Sequence, residues 1–193
     1  GMFNACRSVN RLPFTTIPDS VVNIDYIFAE TAITDISGLT IGSGVTYSEN
    51  WIRSCPITTA NNVTIKCGEI SLGSSTLTTC NNLTITSTCT KLSALFKGCT
   101  SLTSYSFSSN CDTSNVTSIQ SMFESCSKLD IIDISSLTFT SKLIAYSYLF
   151  IGCSKAKEIY FPESIKNSTA TVVASLLEGC YPTKISNLKF SST

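Results

Sequence analysis

Apolar residues recur along this chain in one phrase: a step of three, an adjacent pair, a gap, and then an alternation. Val116, Ile119 and Met122 lead to Phe123; Val21, Ile24 and Ile27 lead to Phe28. Leu143, Tyr146 and Leu149 lead to Phe150, and Ala170, Val173 and Leu176 lead to Leu177. Such a step closing in a pair lies on one face of a short helix or helical turn. The spacing then changes. Leu102, Tyr105 and Phe107, like Leu129, Ile132 and Ile134, or Ala156, Ile159 and Phe161, end in the two-residue alternation of a strand with one face turned inward. Val9, Leu12 and Phe14 hold the same places near the start of the chain. Ile36, Leu39 and Ile41, then Ala60, Val63 and Ile65, then Ile185, Leu188 and Phe190 carry the set two residues later. A two-residue loop insertion before the strand is the expected reason.

The phrase repeats eight times, on the anchors Phe3, Phe28, Ile52, Leu77, Phe96, Phe123, Phe150 and Leu177, in units of 25, 24, 25, 19, 27, 27 and 27 residues before an incomplete last copy. One such unit cannot bury its apolar face alone, so the copies must stack. The predicted fold is an α/β repeat solenoid, leucine-rich-repeat-like and right-handed. Each unit carries one short parallel strand and a short helical or irregular return. Residues 1–193 form a single solenoid, with units beginning near residues 2, 27, 51, 76, 95, 122, 149 and 176. Eight strands about 4.8 Å apart make a slab roughly 40 Å long. The 19-residue unit is expected to have lost most of its return loop.

Three residues after each anchor stands Cys6, Thr31, Cys55, Cys80, Cys99, Cys126, Cys153 or Cys180. Cysteine is small, packs like a hydrophobe and offers a weak donor to a turn carbonyl, which suits a recurring corner. The single threonine has similar size and a hydroxyl. A reduced structural ladder of Cys6, Cys55, Cys80, Cys99, Cys126, Cys153 and Cys180 is therefore expected. Cys89 falls on an apolar position of its unit and is expected in the core. Cys67 and Cys111 follow strands and are expected as free thiols.

Composition narrows the chemistry. Thirteen basic residues balance 13 acidic ones, which gives no electrostatic reason to expect nucleic acid. Histidine is absent, so the usual proton-transfer side chain and the usual partner of a catalytic cysteine are missing. No Cys-x-x-Cys pair suggests a metal site. No apolar run approaches the roughly 18 residues of a membrane span, and no secretory leader is visible. Serine and threonine together number 58, so a largely hydroxylic surface is expected.

The segment "CDTSNVTSIQSMFESCSKLDIIDIS" at 111–135 resembles the BspA-like leucine-rich repeats of bacterial surface proteins, with their "DTSNVT" segment, "MF" pair, Cys-x-x-Leu step and short strand. Residues 95–161 resemble them most, whereas 29–94 depart from the pattern. The resemblance implies a cell-surface or secreted module that binds a host or bacterial surface protein or a glycan, with no catalytic residues and no cofactor.

Outward strand positions are the candidate binding face: Ser104, Ser106, Ile131, Asp133, Glu158 and Tyr160, with Asn62, Thr64 and Thr84 in earlier units. Asp130 and Asp133 in "KLDIIDIS" read as solvated strand surface rather than as an acid/base pair. Trp51 takes a core position. Asn62, Asn82, Asn115 and Asn167 head Asn-x-Ser/Thr triplets. A surface repeat module that binds a partner is the leading reading. A carbohydrate-active enzyme on a parallel β-helix and a structural spacer in a longer surface protein are the alternatives. The chain opens at a unit boundary without a polar cap, so a longer array is expected, and an exposed terminal coil offers an edge for self-association.

Overall fold

The computed structural model describes residues 1–170 and 174–188, so the expected core roles of Val173 and Phe190 lie outside the described residues. Its strands are β1 (Thr16–Ile17), β2 (Thr40–Ile41), β3 (Thr64–Ile65), β4 (Thr79–Ile85), β5 (Ser104–Phe107), β6 (Ile131–Asp133), β7 (Glu158–Tyr160) and β8 (Lys184–Ser186). All pair in parallel, each with its neighbours in the chain, as five strands in the order β1 to β5 and three in the order β6 to β8. The molecule is a parallel β-solenoid of about seven turns.

Inward strand residues stack coil on coil: Ile17, Ile41, Ile65 and Ile85 in one file, Leu39, Val63 and Leu83 in another, and Ile132 against Ile159 in a third. All are buried. The anchors form a parallel file. Phe3 stacks on Phe28 at 5.6 Å between ring centres, Phe96 on Phe123 at 5.4 Å, and Phe123 on Phe150 at 6.1 Å. Burial of each large apolar side chain contributes roughly 1.5–3 kcal/mol, so the core stabilises the stack and not any one coil.

The expected helical turns do not develop into helices. Among the described residues the single helix is the 3₁₀ segment Glu163–Asn167. Each anchor sits in a tight bend instead, and left-handed residues interrupt it. Ala5, Glu30, Ser54, Gly98, Ser125, Gly152 and Gly179, all immediately before the corner position, have φ between 58° and 77°. Tyr26, Ala94, Ser121, Tyr148 and Ser175, two before their anchors, are also left-handed. A right-handed helix cannot run through such residues. Each non-glycine one costs about 1–2 kcal/mol, which the stacked coils offset and which glycine avoids at three of the corners.

The corner itself closes by an i→i+3 bond. The N–H of Cys55, Cys99, Cys126 and Cys153 donates to the carbonyl of Ile52, Phe96, Phe123 and Phe150 at 3.0–3.1 Å. The thiols then reach back one coil. Cys55 Sγ donates to Phe28 O at 2.8 Å, Cys126 to Phe96 O at 3.2 Å and Cys153 to Phe123 O at 3.0 Å. Thr31, in the same file, contacts Cys55 Sγ through its hydroxyl at 3.3 Å. All ten cysteines are free thiols.

Cys80 is not in this file. It lies in β4, beside Tyr105 of β5, and the neighbouring Ala60 donates its N–H to Thr79 O. Leu77-x-x-Cys80 imitates the anchor-to-corner spacing, but the true anchor of that coil is Leu72. Its N–H donates to Leu95 O at 2.7 Å, as Phe28 does to Trp51 O and Phe96 to Met122 O. The coil expected to begin near residue 76 thus begins near 71, and the shortened return is the one that ends there, between Ile65 and Leu72. Ser75, exposed, takes the corner place.

The two-residue shift seen in the sequence is not a loop before the strand either. Gly38, Asn62, Asn82 and Asn187 are left-handed within the strand segment, each between two inward residues, and form a bulge that adds one residue to the inward spacing. Coils with straight strands lack it, and the register shifts where the two kinds meet, between Cys80 and Leu83 of β4 against β5.

Burial disfavours the thiolate at several core cysteines. It pushes Cys67, Cys89, Cys99 and Cys153 up to about 12, whereas thiols of an unfolded chain ionise near pH 8.5. Because the folded values are the higher ones, their contribution to stability is full below about pH 8.5 and is lost as pH rises towards about 12. The melting temperature should hold steady from about pH 6 to 8 and fall progressively above about pH 9, with only the exposed Cys6 reacting quickly with a thiol reagent in the folded protein. A melting temperature unchanged up to about pH 11 would contradict a buried, protonated set.

Candidate functional site

The hydroxyl groups that crowd this chain are largely engaged with the protein itself. Thr58 Oγ1 donates to Thr34 O at 3.2 Å, Thr78 to Thr58 O at 2.8 Å and Thr103 to Thr78 O at 3.2 Å. On the return side Thr117 donates to Thr90 O at 3.1 Å. Each of these bonds joins one coil to the coil before it. Part of the hydroxylic surface expected from the sequence is therefore engaged with the protein's own carbonyls rather than free for a ligand.

Against this regular background the strand face is broken once, between β5 and β6. The corners of the two coils remain joined, since Phe96 N–H donates to Met122 O and Gly98 N–H to Glu124 O. The strands do not pair. At the strand entry a backbone bond links Thr58 to Thr34, Thr78 to Thr58, Thr103 to Thr78, Lys157 to Asp130 and Thr183 to Lys157, and no such bond joins Asp130 to Thr103.

Two residues coincide with the gap. Asp130 stands where the earlier coils carry a threonine, and a carboxylate cannot donate to the Thr103 carbonyl. Lys157 also lacks the hydroxyl yet keeps its backbone bond, so this loss alone does not open the sheet. The wedge is Tyr105. Ala60 and Cys80 hold its place in the preceding coils, whereas its ring packs on Phe96 at 5.7 Å and on Phe123 at 5.0 Å. Its hydroxyl takes over the missing pairing: Asp133 N–H donates to Tyr105 Oη at 2.6 Å, and Tyr105 donates to Asp133 O at 3.0 Å. Burial raises the phenol well above its ordinary range, so it stays a donor at any physiological pH.

The break leaves a cleft of about 280 Å³ between Thr103, Ser104 and Tyr105 on one side and Asp130, Ile131 and Asp133 on the other. Of the candidate face residues, Ser104, Ser106, Ile131 and Asp133 are exposed, and Ile131 keeps 51% of its surface in water. Ser104 and Ser106 lie on β5, Ile131 and Asp133 on β6, so the cleft divides the face. Asp133 also accepts Ser135 N–H through Oδ1 at 2.8 Å, and among the described residues neither it nor Asp130 is in an ion pair.

Glu158 and Tyr160 of β7 form a second group with Lys184 of β8. Lys184 Nζ donates to Tyr160 Oη at 2.7 Å and lies 4.7 Å above the ring, and Tyr160 donates in turn to Glu158. The Tyr160 hydroxyl and then Lys184 hold the Glu158 carboxyl below its ordinary value, while the same contacts raise Lys184. Lys184 had no place in the sequence reading, yet its register opposite Glu158 could have revealed it.

A larger depression of about 540 Å³ opens at the coil whose corner place is taken by Ser75, among Arg53, Ser54, Gly73, Ser74 and Lys97. Lys97 is already paired there with Glu124 at 3.1 Å. Gly73 is required at this place, because a Cβ on it would stand 2.5 Å from Lys97 O. Trp51 is fully buried and donates Nε1–H to Ser71 O at 2.7 Å. Two of the Asn-x-Ser/Thr asparagines bond to each other, Asn82 Nδ2 to Asn62 Oδ1 at 2.8 Å. Cys111 Sγ donates to Leu83 O at 3.2 Å.

Residues 75–181 match a family described as "Mycoplasma protein of unknown function, DUF285". The chain belongs to this family. The matched segment of this family member spans the wedge, the cleft and the Glu158–Tyr160 pair, and it excludes the first coils. No curated protein and no solved structure matches the chain. Among the described residues no helix is long and apolar enough to cross a membrane.

Replacing Tyr105 by isoleucine, the residue at this place in the next two coils, should let β5 and β6 pair. Amide exchange at Ile131 is then expected to slow by up to about tenfold, the worth of one added hydrogen bond. Unchanged exchange at Ile131 in a folded Tyr105→Ile protein would show that something other than the tyrosine holds the strands apart.

Proposed function

We propose that this chain is a non-enzymatic repeat module of the cell surface or a secreted protein, and that it binds a protein or glycan partner through its outward strand face. The observation that carries this reading is the break in that face. The repeat pairs all its other consecutive strands and interrupts its sheet here, and around this place it leaves Ile131 in water and two carboxylates without an ion pair among the described residues. Departures from the local pattern of an otherwise consistent fold are where functional or strained sites are expected. The resemblance of residues 95–161 to BspA-like surface repeats supports both the adhesive role and the extracellular setting. Solenoids of this kind bind along extended faces, which agrees with a site spread over several coils rather than one deep pocket.

A glycan and extracellular-matrix array, probed with the protein and with the double variant Ile131→Asp plus Tyr160→Ser, tests the proposal. Specific binding that weakens by about tenfold or more in the variant, equal to ~1.4 kcal/mol, is the expected result. Equal binding by both proteins would move the site off this face, and turnover of a polysaccharide on the array would overturn the non-enzymatic reading.

A further inference from the structure

We infer that the cleft between β5 and β6 is a docking slot for an extended peptide segment carrying a lysine or arginine. This inference rests on the binding role proposed above and makes the partner a protein. The slot is bounded by two strand edges, not by side chains alone. Ile134 N–H donates to Tyr160 O, so the even-numbered backbone groups of β6 are directed at β7. The odd-numbered ones, Ile131 and Asp133, are directed at β5. The Tyr105 hydroxyl satisfies both groups of Asp133, whereas the N–H and C=O of Ile131 have no partner among the described residues. On the opposite wall the Thr103 carbonyl lacks the donor that every equivalent carbonyl from Thr34 to Lys157 receives. The unpaired N–H and C=O of one β6 residue, facing an unpaired carbonyl on the other wall, offer an extended backbone both a donor and acceptors, the basis of recognition by strand addition.

Charge and size select among such segments. Two carboxylates, Asp130 and Asp133, line the slot, and no cation does. Lys155 and Lys157 stand beyond Asp130, around the next depression towards the following coil. The slot holds the liquid volume of roughly nine water molecules, enough for a short stretch of backbone and not for a folded element. Exposed Ile131 supplies an apolar contact beside the carboxylates, so a β-branched residue next to the cation is favoured. A sugar chain could use the carboxylates and Ser104, but it has no N–H and C=O groups at strand spacing to pair with Ile131.

Panning a random heptapeptide display library against the whole protein tests this. Selected sequences should be enriched in lysine or arginine next to β-branched residues. The synthetic peptides should shift the Tyr105, Ile131 and Asp133 amide signals of ¹⁵N-labelled protein. Binding should weaken about tenfold in Asp130→Asn plus Asp133→Asn, and by as much when the peptide backbone is N-methylated. Selection of acidic or uncharged peptides would overturn the slot. So would signal shifts centred elsewhere, binding indifferent to N-methylation, or failure to select any peptide. Should the slot fail while the array still shows binding that depends on Ile131 and Tyr160, the surface-binding role stands with another ligand. Should the array be silent too, both readings fall.

Discussion

The hydrogen bond from one coil to the next is the interaction on which the rest of this structure depends. The bend Ile119–Cys126 closes three i→i+3 bonds of its own, and the amides between them, Ser121, Phe123 and Ser125, donate to Ser147, Leu149 and Ile151 in the following coil. A solitary coil would leave those groups to water and its aromatic anchor exposed. Threonine hydroxyls and cysteine thiols repeat the same solution with side chains, reaching for a carbonyl one coil away. This explains why a chain with few charges is so rich in serine, threonine and cysteine: small donors of this kind fit a corner or a strand entry without disturbing the stack.

Because the stack is so regular, its interruptions have separate and traceable causes. The short return before Leu72 shifts one corner, removes its cysteine and opens the depression beside Arg53 and Gly73. The bulges at Gly38, Asn62 and Asn82 give way to straight strands at β5, with the register shift inside β4. One coil later Tyr105 enters where smaller residues stood before it, and the strand face parts while the corners hold. The cleft between β5 and β6 is thus a local product of one aromatic side chain in a file of smaller ones, between coils that stay joined at their corners.

The stacking order was legible in the sequence because burial leaves a periodic trace. The aromatic anchors, the inward alternation at Ile132 and Ile134, and the cysteines at 99, 126 and 153 all follow from it. Where coils shorten, the trace becomes ambiguous. Leu77-x-x-Cys80 and the true Leu72 anchor satisfy the same apolar spacing, and only the backbone bond from Leu72 to Leu95 separates them. The bends read as helical because a step of three is common to a helical turn and to a tight corner; left-handed residues such as Ser121 and Tyr148 carry no sequence mark. Alternation also gave the facing of β6, where exposed Ile131 and Asp133 flank buried Ile132. The break between β5 and β6 was not visible, since it depends on a tyrosine that reads as an ordinary inward aromatic and becomes a wedge only against its neighbours.

Residue-resolved amide exchange of the unmodified protein tests the inter-coil register most directly. The amides of Phe28, Leu72, Phe96 and Phe123, although they sit in bends, are expected to exchange as slowly as those of Ile132 and Ile159, because each donates across the stack. Ile131, inside a strand, is expected to exchange rapidly. Fast exchange at the four anchors, or protection of Leu77 in place of Leu72, would contradict the account.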